Sequence, residues 1–207
     1  MRILHVTPSF YPATYYGGPI YSLLGLCNAQ GKSAGNLVRV LTTDAAGPGQ
    51  NLTLDRRTVR LNPACEVHYC RRWGARDFSP ELAMEMKQAV AWAEVVHLHG
   101  VFCYSTIPTL VRATFAGKGL LWSPHGSLRD WAFDKHHVAK EVWMAACRRL
   151  TPTRRFGLHA ASNVEAVEGR RHLPAAPVFI VGHGVEMRQD LATRRPDQAD
   201  VHWPPVA

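Results

Sequence analysis

Long hydrophobic runs are missing from this 207-residue chain. No segment approaches the roughly 18 uninterrupted apolar residues of a membrane-spanning helix. Met1 leads directly into Arg2-Ile3-Leu4-His5-Val6, too short an apolar run for a secretory signal. Paired cysteines are missing as well. Cys27, Cys65, Cys70, Cys103 and Cys147 are odd in number and include no Cys-x-x-Cys, which argues for free thiols in a reducing cytoplasm. The absence of a Gly-x-Gly-x-x-Gly and of a Walker lysine removes support for a nicotinamide-binding or NTP-hydrolysing reading. There is no repeat period and no helix-turn-helix, zinc-finger or RNA-recognition pattern, so no nucleic-acid partner is expected. Acidic residues are scarce: 16 Asp and Glu against 24 Lys and Arg leave a formal charge of +8.

That balance favours anionic partners such as phosphate-bearing ligands, an acidic membrane surface or nucleic acid, and charge alone does not choose among them. Short basic pairs such as Arg56-Arg57, Arg71-Arg72 and Arg170-Arg171 are spread between apolar segments and read as solvated faces. What the sequence does contain is alternation. Short apolar runs at Ile3–Thr7, Leu37–Thr43, Val67–Cys70, Glu94–Gly100, Leu121–Ser123, Gly157–Ala161 and Pro177–Val181 read as buried strands. Between them, Ile20–Gln30, Ser79–Ala93, Tyr104–Ala116, Lys135–Leu150 and a segment opened by Ser162-Asn163-Val164-Glu165 read as helices, two of them with N-terminal capping signals. Ala45–Asp55 and Leu128–Asp134 read as loops. Val138, Val142, Trp143, Ala146 and Leu150 form the expected apolar side of the fourth helix, whose basic remainder suits acidic lipid headgroups. The pattern predicts an α/β fold, a doubly wound and mainly parallel sheet with helices on both faces. One domain is expected over residues 1–186, and residues 187–207 read as an extended or disordered tail.

Turn-forming and titratable residues fall just after the strands. Gly17-Gly18, Asp44, His99-Gly100, His125-Gly126, Ser162 and His183-Gly184 would share the carboxyl edge of the sheet, where open α/β folds bind ligands. In Leu121-Trp122-Ser123-Pro124-His125-Gly126-Ser127 a buried strand empties into a tight turn that carries an imidazole. Gly17-Gly18, ahead of a helix N-terminus, suit either an anion cradle or a plain turn. His97 and His99 would place both rings on one sheet face. With no third or fourth ligand at suitable spacing, no metal is expected; His97 reads as a core group and His99 as a residue at the crevice mouth.

Taken together, Ile3-Leu4-His5-Val6-Thr7-Pro8 with Gly17-Gly18-Pro19, Leu41-Thr42-Thr43, Val96-His97-Leu98-His99-Gly100, Ser123-Pro124-His125-Gly126, His159-Ala160-Ala161-Ser162 and Val181-Gly182-His183-Gly184-Val185 resemble a known family. It is the N-terminal, acceptor-side half of the family 4 retaining glycosyltransferases of GT-B fold. The resemblance implies a nucleotide-sugar donor and a glycan or lipid-linked acceptor, with no metal or other cofactor. It implies that Gly17 and Gly18 approach the donor diphosphate and that His125 is the catalytic residue beside the transferring sugar. Tyr16, His99, Gly100, Gly126, Arg129 and Ser162 would bound the cleft on the acceptor side. A cytoplasmic location, peripheral at the inner membrane face, would follow. The chain departs from the family in lacking its second domain with the glutamate pair that holds the sugar, in carrying His183 where an asparagine is usual, and in carrying Asn163 where an acidic residue is common. Transfer is therefore expected only with a C-terminal domain supplied elsewhere; a catalytically inactive acceptor- or glycan-binding module or a truncated remnant is the alternative.

Overall fold

Each apolar run foreseen as a strand does become one in the computed structural model, which describes residues 1–74, 77–151 and 155–184. The elements follow in the order β1 (Arg2–Val6), α1 (Gly18–Lys32), β2 (Leu37–Thr43), β3 (Ala45–Gly47), β4 (Gln50–Asn51), β5 (Thr58–Asn62) and β6 (Cys65–Cys70). Then come α2 (Pro80–Trp92), β7 (Val95–His99), α3 (Thr106–Phe115), β8 (Gly119–Ser123), α4 (Asp130–Phe133), α5 (His137–Leu150), β9 (Phe156–Ala160), α6 (Asn163–His172) and β10 (Val178–Ile180). Eight strands form one sheet in the order β10-β9-β8-β7-β1-β2-β6-β5. All neighbours are parallel except β5, which runs antiparallel to β6. The chain first builds outward from β1 through β2 and β6, then returns to β7 on the other side of β1. The β1–β7 seam is therefore the topological switch point, where the connecting loops part and leave a crevice.

The period-two alternation of side chains sorts the strands into two faces. Leu4 and Val6, Val96 and Leu98, Leu120 and Trp122, and Leu158 lie in one buried cluster with Met86 of α2, Leu110 of α3 and Met144 of α5. Gly169 lets α6 approach the same face, for a Cβ there would fall 2.6 Å from a Leu158 methyl. On the opposite face, Leu23 and Cys27 of α1 pack with Phe10, Val38, Val40, Val67 and Tyr69. Both faces carry helices as expected, but unequally. Alongside Ile3 and Leu121, the α1 side of β1, β7, β8 and β9 carries His5, His97, His99, Ser123 and His159, polar groups at positions where core residues would otherwise sit.

Several local expectations change. The Ala45–Asp55 segment is not all loop, since β3 and β4 pair as a small antiparallel hairpin. Leu128–Asp134 contains the short helix α4. The expected apolar side of α5 is corrected in part: Trp143 and Leu150 pack against the core, but Ala146 is exposed, Val138 and Val142 are 76% and 67% exposed, and the buried residues of the helix are Met144 and Cys147. Its rotation is set by two anchors, the Trp143 indole N–H donating to the Val101 carbonyl (2.9 Å) and Lys140 Nζ donating to the Ala132 carbonyl. The α2 cap is as read: Ser79 Oγ accepts from the Leu82 N–H at 3.2 Å, with Pro80 and Glu81 in the first turn. The tail expected over residues 187–207 lies outside the described residues. Among the described residues no helix is long and apolar enough to cross a membrane.

Trp122 ties core to crevice. Its ring is fully buried, and its indole N–H donates to the Gly100 carbonyl at 2.6 Å, holding the turn after β7 against β8. Trp122→Phe keeps the apolar ring but takes away the donor of that bond. Urea unfolding is expected to show a loss of about 1–3 kcal/mol; equal stability would show that the turn needs no such tie.

Candidate functional site

A cavity of about 340 Å³ opens at the carboxyl ends of β1, β7 and β8, and Thr7, Pro8, Tyr16, His99, Gly100 and His125 are among the residues that line it. A second cavity, of about 450 Å³, lies between α1 and the open part of the sheet and is walled by Gln30, His97, Ser123, His159 and His183. His99 and His125 line both and so form the partition between them.

His125 owes its position to an unusual turn. It takes a left-handed backbone with φ 52°, followed by Gly126 at φ 77°. Glycine adopts that conformation freely, whereas a histidine there costs on the order of 1 kcal/mol or more, so surrounding contacts must hold it. Glu165 supplies the main one. Its buried carboxylate accepts the Gly126 N–H at 2.7 Å and the Ala161 N–H at 2.8 Å, locking the β8 turn to the start of α6. Ser162 is the α6 N-cap, its Oγ accepting from the Glu165 N–H at 3.2 Å. The carboxylate thus reaches Ala161 and Gly126, beyond the Ser162 amide that a closed capping box would use.

The imidazoles form two hydrogen-bonded chains. In the first, Gln30 Oε1 lies 2.7 Å from His5 Nε2, His5 Nδ1 lies 3.0 Å from His99 Nε2, and His99 Nδ1 lies 2.9 Å from His125 Nε2. In the second, His97 Nε2 is 2.7 Å from Ser123 Oγ, which is 2.6 Å from His159 Nδ1, and His159 Nε2 is 2.8 Å from the Val181 carbonyl. An acceptor at one end sets each direction. Gln30 Oε1 accepts from His5 Nε2–H, so His5 Nδ1 accepts from His99 Nε2–H and His99 Nδ1 from His125 Nε2–H. His125 Nδ1 is then left with a lone pair. Burial disfavours the charged imidazolium throughout: it lowers His5 and His125 to about 4 and holds His97 and His99 well below the ordinary histidine value. Neighbouring histidines add to the lowering at His97, His99 and His125, while Gln30 partly opposes it at His5. The His183 ring stacks on His125 at 5.4 Å between centroids.

The residues predicted for the site divide into two groups. Tyr16, His99, Gly100 and His125 meet around the 340 Å³ cavity. Gly17 is the α1 N-cap at φ 67°, with no side-chain cap, and a Cβ added at Gly17 or Gly18 would meet nothing within 4 Å; the Gly17 N–H itself donates to the Thr14 carbonyl at 3.0 Å and the Ile20 N–H to the Gly17 carbonyl at 3.1 Å. Gly126 is held from behind by Glu165. Arg129 and Ser162 stand apart from that lining: Arg129 Nε pairs with Glu168 Oε2 at 3.2 Å, and the Ser162 hydroxyl is occupied in capping α6. His99, expected at the crevice mouth, is 3% exposed and reaches the cavities from within the sheet. The sequence reading passed over His5, Gln30, Ser123, His159 and Glu165. For His5 the missing signal was register: β1 and β7 pair with His5 opposite His97, a relation between positions 92 residues apart. Glu165 was visible only as the third residue of a helix cap.

Compared by sequence, the chain matches no protein-family model and no curated protein. Compared by structure, it has the fold of one half of a GT-B enzyme. Sucrose-phosphate synthase from Thermosynechococcus elongatus superposes with a TM-score of 0.56 at 13% identity, over 89% of this chain and 48% of that one. UDP-GlcNAc 2-epimerase from Methanocaldococcus jannaschii gives 0.48 at 12% identity, over 88% and 46%. The chain thus spans about half the length of either.

The buried imidazoles make stability depend on pH. His5 and His125 titrate near 4 when folded but near 6.5 when unfolded. Between these values the unfolded chain binds more protons, so stability is full above pH 6.5 and falls as pH drops toward 4. Thermal unfolding with a chelator present is expected to show Tm falling steadily across that window. A flat Tm from pH 6.5 to 4 would mean these rings are hydrated.

Proposed function

We propose that this chain is the acceptor-side half of a retaining, nucleotide-sugar-dependent glycosyltransferase of family 4. The observation that carries the reading is the His125–Gly126 turn, a left-handed pair presenting an imidazole to a cavity beside the uncapped N-terminus of α1. In this reading the backbone at Gly17 and Gly18, aided by the helix dipole, receives the donor diphosphate. His125 lies beside the transferring sugar, and its neutral ring keeps the Nδ1 lone pair available to a sugar hydroxyl. Its contribution is electrostatic and positional, stabilising an oxocarbenium-like transition state. Tyr16, His99 and Gly100 bound the acceptor from below, with Gly126, Arg129 and Ser162 farther back. Because the chain spans about half of the matched synthase, the rest of the donor site belongs to a second domain, joined to this one or supplied as a separate chain. The net charge of +8 suits a lipid-linked acceptor at an acidic membrane face. The same half-length match favours a second reading, a module that binds acceptor glycan without transferring sugar.

Isothermal titration with nucleoside diphosphates and their sugars tests the site. Saturable binding is expected, weakened about tenfold or more by Gly18→Asp, which sets a carboxylate against the diphosphate. Binding to duplex DNA with no response to any sugar ligand would refute the proposal. In the enzyme assembled with its second domain, His125→Asn preserves a left-handed turn, since asparagine tolerates positive φ, while removing the imidazole. Turnover is expected to fall by about 10² to 10³; unchanged turnover would leave His125 a turn residue, and absence of transfer in any assembly would favour the binding module.

A further inference from the structure

On the α1 side of the sheet, at the β1–β7 switch point, His5, His97 and His99 each bring one potential ligand nitrogen to within 4.8 Å of the others. All three residues are buried, with exposures of 0, 5 and 3%. They converge because β1 and β7 pair in parallel with His5 opposite His97, and His99, two residues on, shares that face.

The outward nitrogen of every ring is already engaged. Gln30 Oε1 holds His5 Nε2 at 2.7 Å, Ser123 Oγ holds His97 Nε2 at 2.7 Å, and His125 Nε2 holds His99 Nδ1 at 2.9 Å. The nitrogens that can turn to a ligand are then His97 Nδ1 together with His5 Nδ1 and His99 Nε2, which without an ion bond each other at 3.0 Å. For His97 this assignment is fixed by chemistry. The Val181 carbonyl can only accept, so His159 carries its proton on Nε2. His159 Nδ1 then accepts from the Ser123 hydroxyl, and Ser123 Oγ accepts from His97 Nε2–H. His97 Nδ1 is consequently a bare lone pair beside two other imidazoles.

We propose that His5, His97 and His99 form a three-imidazole site for a divalent cation of the zinc class. Imidazole suits zinc, copper, nickel and iron, and three histidines with one open position form a recurring zinc arrangement. A tetrahedral ion with bonds of about 2.0–2.1 Å sets its ligands roughly 3.3 Å apart, close to the His5–His99 separation. Ligating histidines characteristically donate their other N–H to a fixed partner that orients the ring, and here Gln30, Ser123 and His125 occupy those places. His97 and His99 line the 450 Å³ cavity, so an ion enters from that side and its fourth position opens there.

Binding also reverses one hydrogen bond. Without the ion, His99 Nε2–H donates to His5 Nδ1. With it, the His99 proton resides on Nδ1 and is donated to His125 Nε2, and the His125 proton resides on Nδ1. Each ring keeps one proton, so the net proton count is unchanged. Occupancy of the site therefore sets whether His125 Nδ1, the nitrogen not bonded to His99, carries a lone pair or a proton.

The full chain, stripped with chelator, is titrated with Co²⁺ and then Zn²⁺, followed by visible absorption, calorimetry and ¹⁵N NMR of the histidine rings. The expected result is one equivalent of Co²⁺ giving the intense absorption of low-coordinate cobalt, displaced by Zn²⁺, with the His125 ring signals switching tautomer. His97→Gln is expected to abolish the band, and Gln30→Leu to weaken binding by about 10- to 100-fold. The double variant His136→Gln/His137→Gln, which removes an exposed pair away from the cluster, is expected to bind normally. A weak octahedral spectrum with the unaltered chain overturns the proposal without need of any variant. So does a band that survives His97→Gln or is lost in the exposed double variant. No sugar ligand enters the measurement, so its outcome is independent of the transferase reading.

Discussion

The parallel pairing of β1 with β7 places His5 directly opposite His97, and the rest of the site follows from burying those two imidazoles at the middle of a sheet. A polar group removed from water must be hydrogen-bonded or its burial costs several kcal/mol. Neither ring can reach solvent, so each recruits a partner from a different element: Gln30 from α1, Ser123 from the end of β8, His99 from the end of β7. Ser123 and His99 are themselves buried and need partners in turn, which extends the network to His125, His159 and the Val181 carbonyl. The chains end at groups with fixed or nearly fixed roles. Directional order of this kind arises because the low-dielectric interior leaves the rings neutral, with one donor and one acceptor each.

The same network explains why a strained residue persists at the crevice. His125 sits in a backbone conformation that favours glycine, and it is retained by contacts on three sides: the His99 ring, the stacked His183 ring, and Glu165 acting through the Gly126 amide. Trp122 adds a fourth tie by binding the Gly100 carbonyl, so that the β7 and β8 turns move as one piece. An over-determined turn of this sort is where strain is commonly stored for use. The position of His125 is thus set from the core outward, through β8 below it and α6 beside it.

Much of the fold could be read in the sequence because its signals are local. Short apolar runs closed by Pro8, Gly100 and Pro124, and the Ser79-Pro80-Glu81 cap, each specify an element without reference to the rest of the chain. The β5–β6 hairpin and the small β3–β4 pair were weaker, since their side chains are partly exposed and polar. Helix α5 shows how a local pattern misleads. Val138 and Val142 stand four residues apart, as a buried stripe should, yet the Trp143 and Lys140 anchors turn them outward. At the site, His99 and His125 were visible as residues at strand ends. His5, Gln30 and Glu165 were not, because their meaning lies in strand register and in side chains that cross between elements.

The charge of the chain also reads differently once its placement is known. A net charge of +8 pointed to an anionic ligand, yet among the described residues no Lys or Arg lines the 340 Å³ cavity, and Asp77 does. Of the Lys and Arg side chains among the described residues, only Lys32 borders the larger one. The Gly17 N–H is already bonded to the Thr14 carbonyl and Pro19 has none, so an anion approaching Gly17 and Gly18 would meet chiefly the helix dipole, a contribution of about 0.3–1 kcal/mol at an exposed terminus, and, among the described residues, no full positive charge from this lining. A diphosphate leaving group carries more charge than that can balance. If this domain does serve sugar transfer, the neutralising cations must come from the facing domain, and the role left to this half is to orient the reacting groups with neutral, directional hydrogen bonds. Its excess of arginine and lysine would then act at longer range, on the approach of an anionic donor or on contact with an acidic surface, where screening over about 8–10 Å makes it sensitive to salt.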